Sequence, residues 1–151
     1  MRRFFISILT LLLLGGASPS LGQEYIKYIS EANGCISLQV TAYGKKSIEA
    51  IERAEKLAIE QLLFRGIPDS ETFNHPLIDT REDEILTTHT DYFERLFQEN
   101  RYKGFVVSST IISKLAKDIT KRKSLTINLT INVKTFKRDL ENYCIIRKFG
   151  L

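Results

Sequence analysis

The strongest constraint on the fold is a strictly alternating segment near the C-terminus. Every second residue from Leu125 to Val133 is apolar, and the residues between and beside them are polar. Side chains of a strand point alternately to its two faces, so this pattern predicts an antiparallel strand with one buried and one solvated face. The buried face of such a sheet must be covered by a second layer, most simply by helices.

Two other segments predict strands. Residues 35–43 alternate in the same way, and residues 105–116 are typical of a long strand. The polar stretch 117–123 separates this long segment from the alternating one, so the two are predicted to form a hairpin.

A helix is predicted from Ile48 to Arg65, where the apolar period changes to 3.6 residues. Ser47 is the expected cap, and Gly66 suits the left-handed position after the last turn. Small side chains recur every four residues and would allow close approach to a sheet. The predicted apolar stripe consists of Ile48, Ile51, Ala54, Ala58 and Leu62, widened by Ile59 and Leu63, with Ala50 in the alanine series.

Shorter helices complete the prediction. Residues 82–97 have helical spacing, but the threonine-rich run 87–90 is a poor helix interior and favours two short helices. Thr135 is the expected cap of a short C-terminal helix, whereas residues 23–33 show no clear period. The predicted class is α+β: a small antiparallel-rich sheet with the alanine-rich helix on one face, a late β-hairpin and a short C-terminal helix.

The first 22 residues are typical of a bacterial secretory signal peptide. Arg2 and Arg3 precede an apolar run from Phe4 to Leu14, and small residues precede a cut before Gln23. The alternative is an uncleaved N-terminal membrane anchor. We therefore predict a signal peptide at 1–22 and a single domain at 23–151. The processed protein is expected in the periplasm, where it could associate with the outer membrane, and it is expected to have no transmembrane segment.

The charge of the processed chain argues against nucleic-acid binding. The full chain has 22 Lys and Arg against 18 Asp and Glu, and Arg2 and Arg3 belong to the leader, so the processed chain keeps 20 against 18 and a net charge of +2. A nucleic-acid-binding domain usually carries a strong basic excess.

Export also affects the interpretation of the two cysteines. In an oxidising compartment a pair of cysteines usually forms a disulfide, so we expect a bond between Cys35 and Cys144. The alternative is that both are buried, unpaired thiols.

One segment resembles a known family. Val40, Ala42 and Gly44 at a strand end lead into a helix with Ala50, Ala54 and Ala58 and then Leu62. This unit, from Ile36 to Leu62, resembles the strand-to-helix unit of the flagellar-assembly FlgT amino-terminal domain and related small bacterial outer-membrane lipoproteins. The resemblance implies a cell-envelope protein with a binding or assembly role. The lipidation cysteine of such lipoproteins is absent, and no functional residue is carried over.

Two surfaces are candidates for partner binding. Tyr92, Phe93 and Phe97 form either a docking surface or part of the core. Lys117, Lys121, Arg122 and Lys123 cluster at the hairpin tip, where they either contact an anionic envelope component or an envelope protein, or only keep the tip soluble.

The sequence contains no recognisable catalytic order of residues, so we expect an exported, non-enzymatic envelope binding or assembly module without a cofactor or metal. The alternative is a small periplasmic hydrolase or metal-dependent enzyme that uses the 69–79 loop, where Asp69, Glu71, His75 and Asp79 could supply ligands or a base. His89 lies on an apolar helical stripe and is most simply a core residue.

Overall fold

The computed structural model describes residues 24–148; the predicted signal peptide at 1–22 therefore lies outside the described residues. Within this range the chain has four strands, four α-helices and one 3₁₀ helix, and the α+β class is confirmed. In order they are β1 (Tyr25–Ala32), β2 (Cys35–Tyr43), α1 (Ser47–Phe64), α2 (Glu82–Thr88), α3 (Thr90–Phe97), the 3₁₀ helix (Arg101–Phe105), β3 (Val106–Lys117), β4 (Lys123–Asn132) and α4 (Val133–Asn142). Over the described range, none of the helices combines the length and apolar character that crossing a membrane requires.

The strands form one antiparallel sheet in the order β1-β2-β4-β3. The two central strands are in register from Cys35, opposite Asn132, to Tyr43, opposite Ser124. The alternating apolar residues of both strands are fully or almost fully buried on the helical side, as the sequence predicts. Hydroxyl groups meet on the other face, where Ser37 bonds Thr130 and Thr41 bonds Thr126.

Helix α1 packs against β2 and β4 through its alanines, as predicted. Ala50, Ala54 and Ala58 have no exposed surface. Helix α1 begins close to the end of β2, and the glycine at position 44 makes this possible. A Cβ atom at Gly44 would lie only 2.5 Å from the backbone nitrogen of Ala50. A side chain at position 44 would therefore push α1 away from the sheet.

The predicted stripe of α1 is wrong at its first turn. Ile48 is 58% exposed and Ile51 only half-buried, whereas Glu55 is buried. The contact face is centred on the alanines because the closest approach to the sheet requires the smallest side chains. Ser47 is the first helical residue and not the cap, but Gly66 has the predicted left-handed conformation, with φ of +75°.

Strand β1 was not predicted from the sequence. Its pairing with β2 shifts register between Tyr28 and Ser30, which indicates a bulge or a similar irregularity. A bulge adds one residue to one strand and reverses the facing of the residues beyond it. The half-buried residues of β1 are therefore Ile26, Tyr28 and then Glu31, so the period of two breaks after Tyr28.

The predicted start of the C-terminal helix is also wrong. Strand β4 ends at Asn132, and the Oδ1 atom of Asn132 accepts a hydrogen bond of 3.0 Å from the backbone N–H of Thr135. Asn132 is thus the cap, and Val133 is a fully buried helical residue. The two short helices predicted for 82–97 are confirmed as α2 and α3, which are separated at His89.

The expected disulfide is not formed in the structure. Cys35 and Cys144 are free thiols; Cys35 is half-buried and Cys144 is exposed. Cys35 pairs with Asn132 at the start of α4, and Cys144 follows the other end of this helix. Ten helical residues span about 15 Å, whereas the Cα atoms of a disulfide are within about 7 Å. The helix therefore separates the two thiols.

Candidate functional site: the hairpin tip and its groove

The β3–β4 hairpin ends in a tight turn from Asp118 to Arg122. The backbone N–H of Asp118 donates to the carbonyl of Arg122 at 2.8 Å, and the N–H of Lys121 donates to the carbonyl of Asp118 at 3.0 Å. Lys121 has a positive φ of 63°. These bonds give the tip a defined conformation and present its side chains to solvent.

The carboxylate of Asp118 organises this turn. Its Oδ1 atom accepts hydrogen bonds from the backbone N–H and the hydroxyl of Thr120, at 2.8 and 2.5 Å, and from the backbone N–H of Arg122 at 3.2 Å. Its Oδ2 atom accepts from the hydroxyl of Tyr43 at 3.2 Å. The hydrogen bonds from Thr120 are the main reason that the pKa of Asp118 is lowered.

Tyr43 connects the hairpin tip to the central sheet. The guanidinium carbon of Arg122 lies 3.6 Å from the centre of the Tyr43 ring, which is a close cation–π contact. Burial, followed by the adjacent Asp118 carboxylate, raises the pKa of Tyr43. This contact positions the guanidinium of Arg122 against Tyr43, and Arg122 is exposed to solvent, as Lys121 and Lys123 are.

An open groove of about 940 Å³ lies between α1 and this tip. Its walls include Tyr43 and Gly44 from the end of β2, one side of α1, and the last residues of the hairpin turn. Six cationic and three acidic side chains line it, so the groove is net positive. The cations are Lys45, Arg53, Lys56, Lys121, Arg122 and Lys123.

Several of the groove's charges are already neutralised. Arg53 pairs with Glu24 and lowers the pKa of Glu24 through their hydrogen bond, and Glu52 accepts from Lys103 at 2.8 Å. Burial raises the pKa of Glu60 and so disfavours its negative charge. Three of the six cations, Lys121, Arg122 and Lys123, lie together at the hairpin end of the groove, where Asp118 is the carboxylate of the same turn.

The cations at the hairpin end repel one another. Lys117 and Lys123 are cross-strand partners, and like charges directly opposite one another destabilise a sheet. Lys121 and Arg122 lie in the same turn, and the apolar side chain of Ile119 projects beside them with 77% of its surface exposed. An anion bound here would relieve the repulsion between the cations.

The predicted aromatic docking surface belongs mainly to the core. Tyr92 and Phe93 are buried, and Phe97 is half-buried. The hydroxyl of Tyr92 donates to Asp139 at 2.8 Å, and burial followed by this bond raises the pKa of Tyr92. Two of the three aromatic side chains therefore pack inside the protein. The exposed residues of the predicted site are Lys121, Arg122 and Lys123.

The 69–79 loop does not assemble its acidic residues into a site. Asp69, Glu71, His75 and Asp79 are all exposed, and over residues 24–148 there is no group of three or more His, Cys, Asp or Glu side chains that could hold a metal ion. The loop is packed through other residues, which are Ser70, Phe73 and Ile78.

Neither of the two grooves described here contains both histidines. His89 is half-buried and lines a second groove of about 530 Å³, beside Asp91, and His75 lines neither groove described here. The arrangement expected of a hydrolase that uses His75 is therefore not found at these grooves.

Comparison with known proteins gives no relative: no family model matches the chain, and neither the curated proteins nor the solved structures contain a significant match.

A pH dependence follows from the lowered pKa of Asp118. Its ionised form accepts the hydrogen bonds of the turn, so the turn gains stability above the ordinary pKa of an aspartate, near 3.9. That stability is lost as the pH falls through the lowered pKa of the folded protein. We expect the amide signals of Thr120 and Arg122 to shift together below about pH 4 in an NMR titration. In Asp118→Asn this transition should be absent, and its persistence would contradict the assignment.

Proposed function

We propose that this protein is an exported, non-enzymatic binding module of the bacterial cell envelope, and that it binds an anionic lipid surface through the hairpin tip. The observation that carries the proposal is the exposed Ile119 at the turn, with Lys117, Lys121, Arg122 and Lys123 around it. An apolar side chain among cations suits the boundary between headgroups and acyl chains.

The energetics support a reversible attachment. A Lys or Arg near an anionic membrane contributes about 1 kcal/mol, and burial of an isoleucine side chain contributes about 1.5–3 kcal/mol. Three or four cations and one isoleucine therefore give an affinity that depends on salt and on lipid charge. The predicted signal peptide supports the envelope as the location, and the resemblance of residues 36–62 to envelope proteins favours the same compartment.

Vesicle binding tests the proposal. The protein without its leader should co-sediment with vesicles that contain phosphatidylglycerol and only weakly with phosphatidylcholine vesicles. The double substitution Lys121→Glu and Lys123→Glu should weaken binding to the anionic vesicles by at least about tenfold, because two attractive charges become repulsive. The control is Arg138→Glu with Lys148→Glu, which makes the same change in net charge at exposed positions outside the hairpin. Equal loss in both variants would show that only net charge matters, and would reject the hairpin as the site.

A second comparison distinguishes lipid from other envelope anions. Ile119→Ser should weaken binding to anionic vesicles by about tenfold, since burial of the apolar side chain is lost. The same variant should bind a soluble polyphosphate as well as the parent protein does. If Ile119→Ser leaves vesicle binding unchanged, Ile119 does not enter the membrane, the contact is through charge alone, and the proposed lipid-interface site at the tip is rejected.

A further inference from the structure

Strand β3 is an open edge of the sheet. Among residues 24–148 its one neighbour in the sheet is β4, and ten of its twelve residues are exposed. The opposite edge, β1, is partly protected, because Glu31 accepts a hydrogen bond of 3.0 Å from the backbone N–H of Thr72 in the loop after α1. An exposed edge strand presents unpaired backbone donors and acceptors to another strand.

The open edge also carries exposed aliphatic side chains. Val107 is 60% exposed, Ile111 is 48% exposed and Ile112 is 49% exposed. Isolated apolar residues on a surface are ordinary, but several on one unpaired strand indicate an interaction surface.

The charge distribution of β3 favours a second copy of the same strand in antiparallel orientation. Residues 106–113 are uncharged, and the strand's charges are Lys114 and Lys117 near its C-terminal end. Antiparallel pairing centred on Ser109, which sets residues 106–112 of the two copies against each other, leaves the lysines of each copy outside the shared segment. Parallel pairing would place Lys114 opposite Lys114, which is unfavourable.

Irregular pairing limits the length of the shared ladder. The register between β3 and β4 shifts between Val106 and Ser108, and again between Ile111 and Ser113. The regular part of β3 is therefore Ser108–Ile111, and exposed aliphatic residues flank or end it. A short ladder buries little surface, so we expect a weak association that depends on concentration.

We propose that β3 pairs with β3 of a second copy around a two-fold axis, which joins two sheets into one of eight strands. Such an isologous contact closes on itself and gives a dimer, not a filament. The two hairpin tips then lie at opposite ends of the shared edge. This inference goes beyond the proposed function and does not depend on what the hairpin binds.

Sedimentation equilibrium over a wide concentration range tests the dimer. The parent protein should change from monomer to dimer as its concentration rises. Ile111→Lys should raise the dissociation constant by about tenfold or more, because a charged lysine then replaces an apolar side chain at the edge and opposes strand pairing. Ile48→Lys is the matched control, since Ile48 is equally aliphatic and 58% exposed but lies on α1. Circular dichroism of each variant shows whether it remains folded.

Cross-linking tests the strand orientation in a background with Cys35→Ser and Cys144→Ser. Ser109→Cys, close to the expected axis, should give a disulfide-linked dimer under mild oxidation, whereas Lys117→Cys should not. Parallel pairing would cross-link both variants and overturn the proposed orientation. A parent protein that stays monomeric at every concentration, or a folded Ile111→Lys variant that associates like the parent, would overturn the dimer.

Discussion

Substitution of Phe136 by alanine is expected to lower the free energy of unfolding by about 3–5 kcal/mol, the cost typical of removing a buried aromatic side chain. Phe136 is fully buried on α4, and its ring centre lies 4.6 Å from that of Phe105. Phe105 ends the 3₁₀ helix, and β3 begins at the next residue. The substitution would therefore leave a cavity between α4 and the segment that leads into the hairpin.

Chemical denaturation measures this effect. Tyr25→Ala is a suitable control, because Tyr25 is also aromatic but is 48% exposed on the edge strand β1. We expect the control to cost about 1 kcal/mol or less, since its side chain is already largely hydrated. Comparable losses in the two variants would show that Phe136 is not in a close-packed environment.

The elements that could be predicted from the sequence are those in which one face is continuously buried. Strands β2 and β4 keep a period of two along their length, so their alternation survives in the sequence. The register shift near Tyr28 breaks this period in β1, and a single-sequence pattern then contains no strand signal. The opposite happens at the end of β4: the alternation predicts a strand from Ser124 to Lys134, but the strand ends at Asn132, because Val133 continues the alternation although it already belongs to α4.

The sequence predicts only those residues of the candidate site that are neighbours along the chain. Lys121, Arg122 and Lys123 are adjacent in the sequence, so their clustering is visible without a structure. The contacts that position them are not local: Tyr43 reaches Asp118 across 75 residues, and only the pairing of β2 with β4 brings them together. Tyr92 and Phe93 have the helical spacing of an apolar face. That spacing does not show whether the face packs in the core or binds a partner, and in the structure both side chains are buried in the core.

The alanine face of α1 provides the most direct link between the sequence and the fold. We expect Ala58→Leu to lower the free energy of unfolding by about 1–3 kcal/mol, because Ala58 is fully buried against the sheet and three added carbon atoms overpack that contact. Arg53→Leu on the same helix is the control: Arg53 is exposed, and its loss removes one surface ion pair with Glu24, worth at most about 1 kcal/mol. Arginine and leucine have similar helix propensities, and alanine exceeds leucine only slightly, so burial is the main difference between the two variants. Thermal melts compare them directly. If Ala58→Leu left the melting temperature unchanged while Arg53→Leu lowered it, another face of α1 would pack against the sheet.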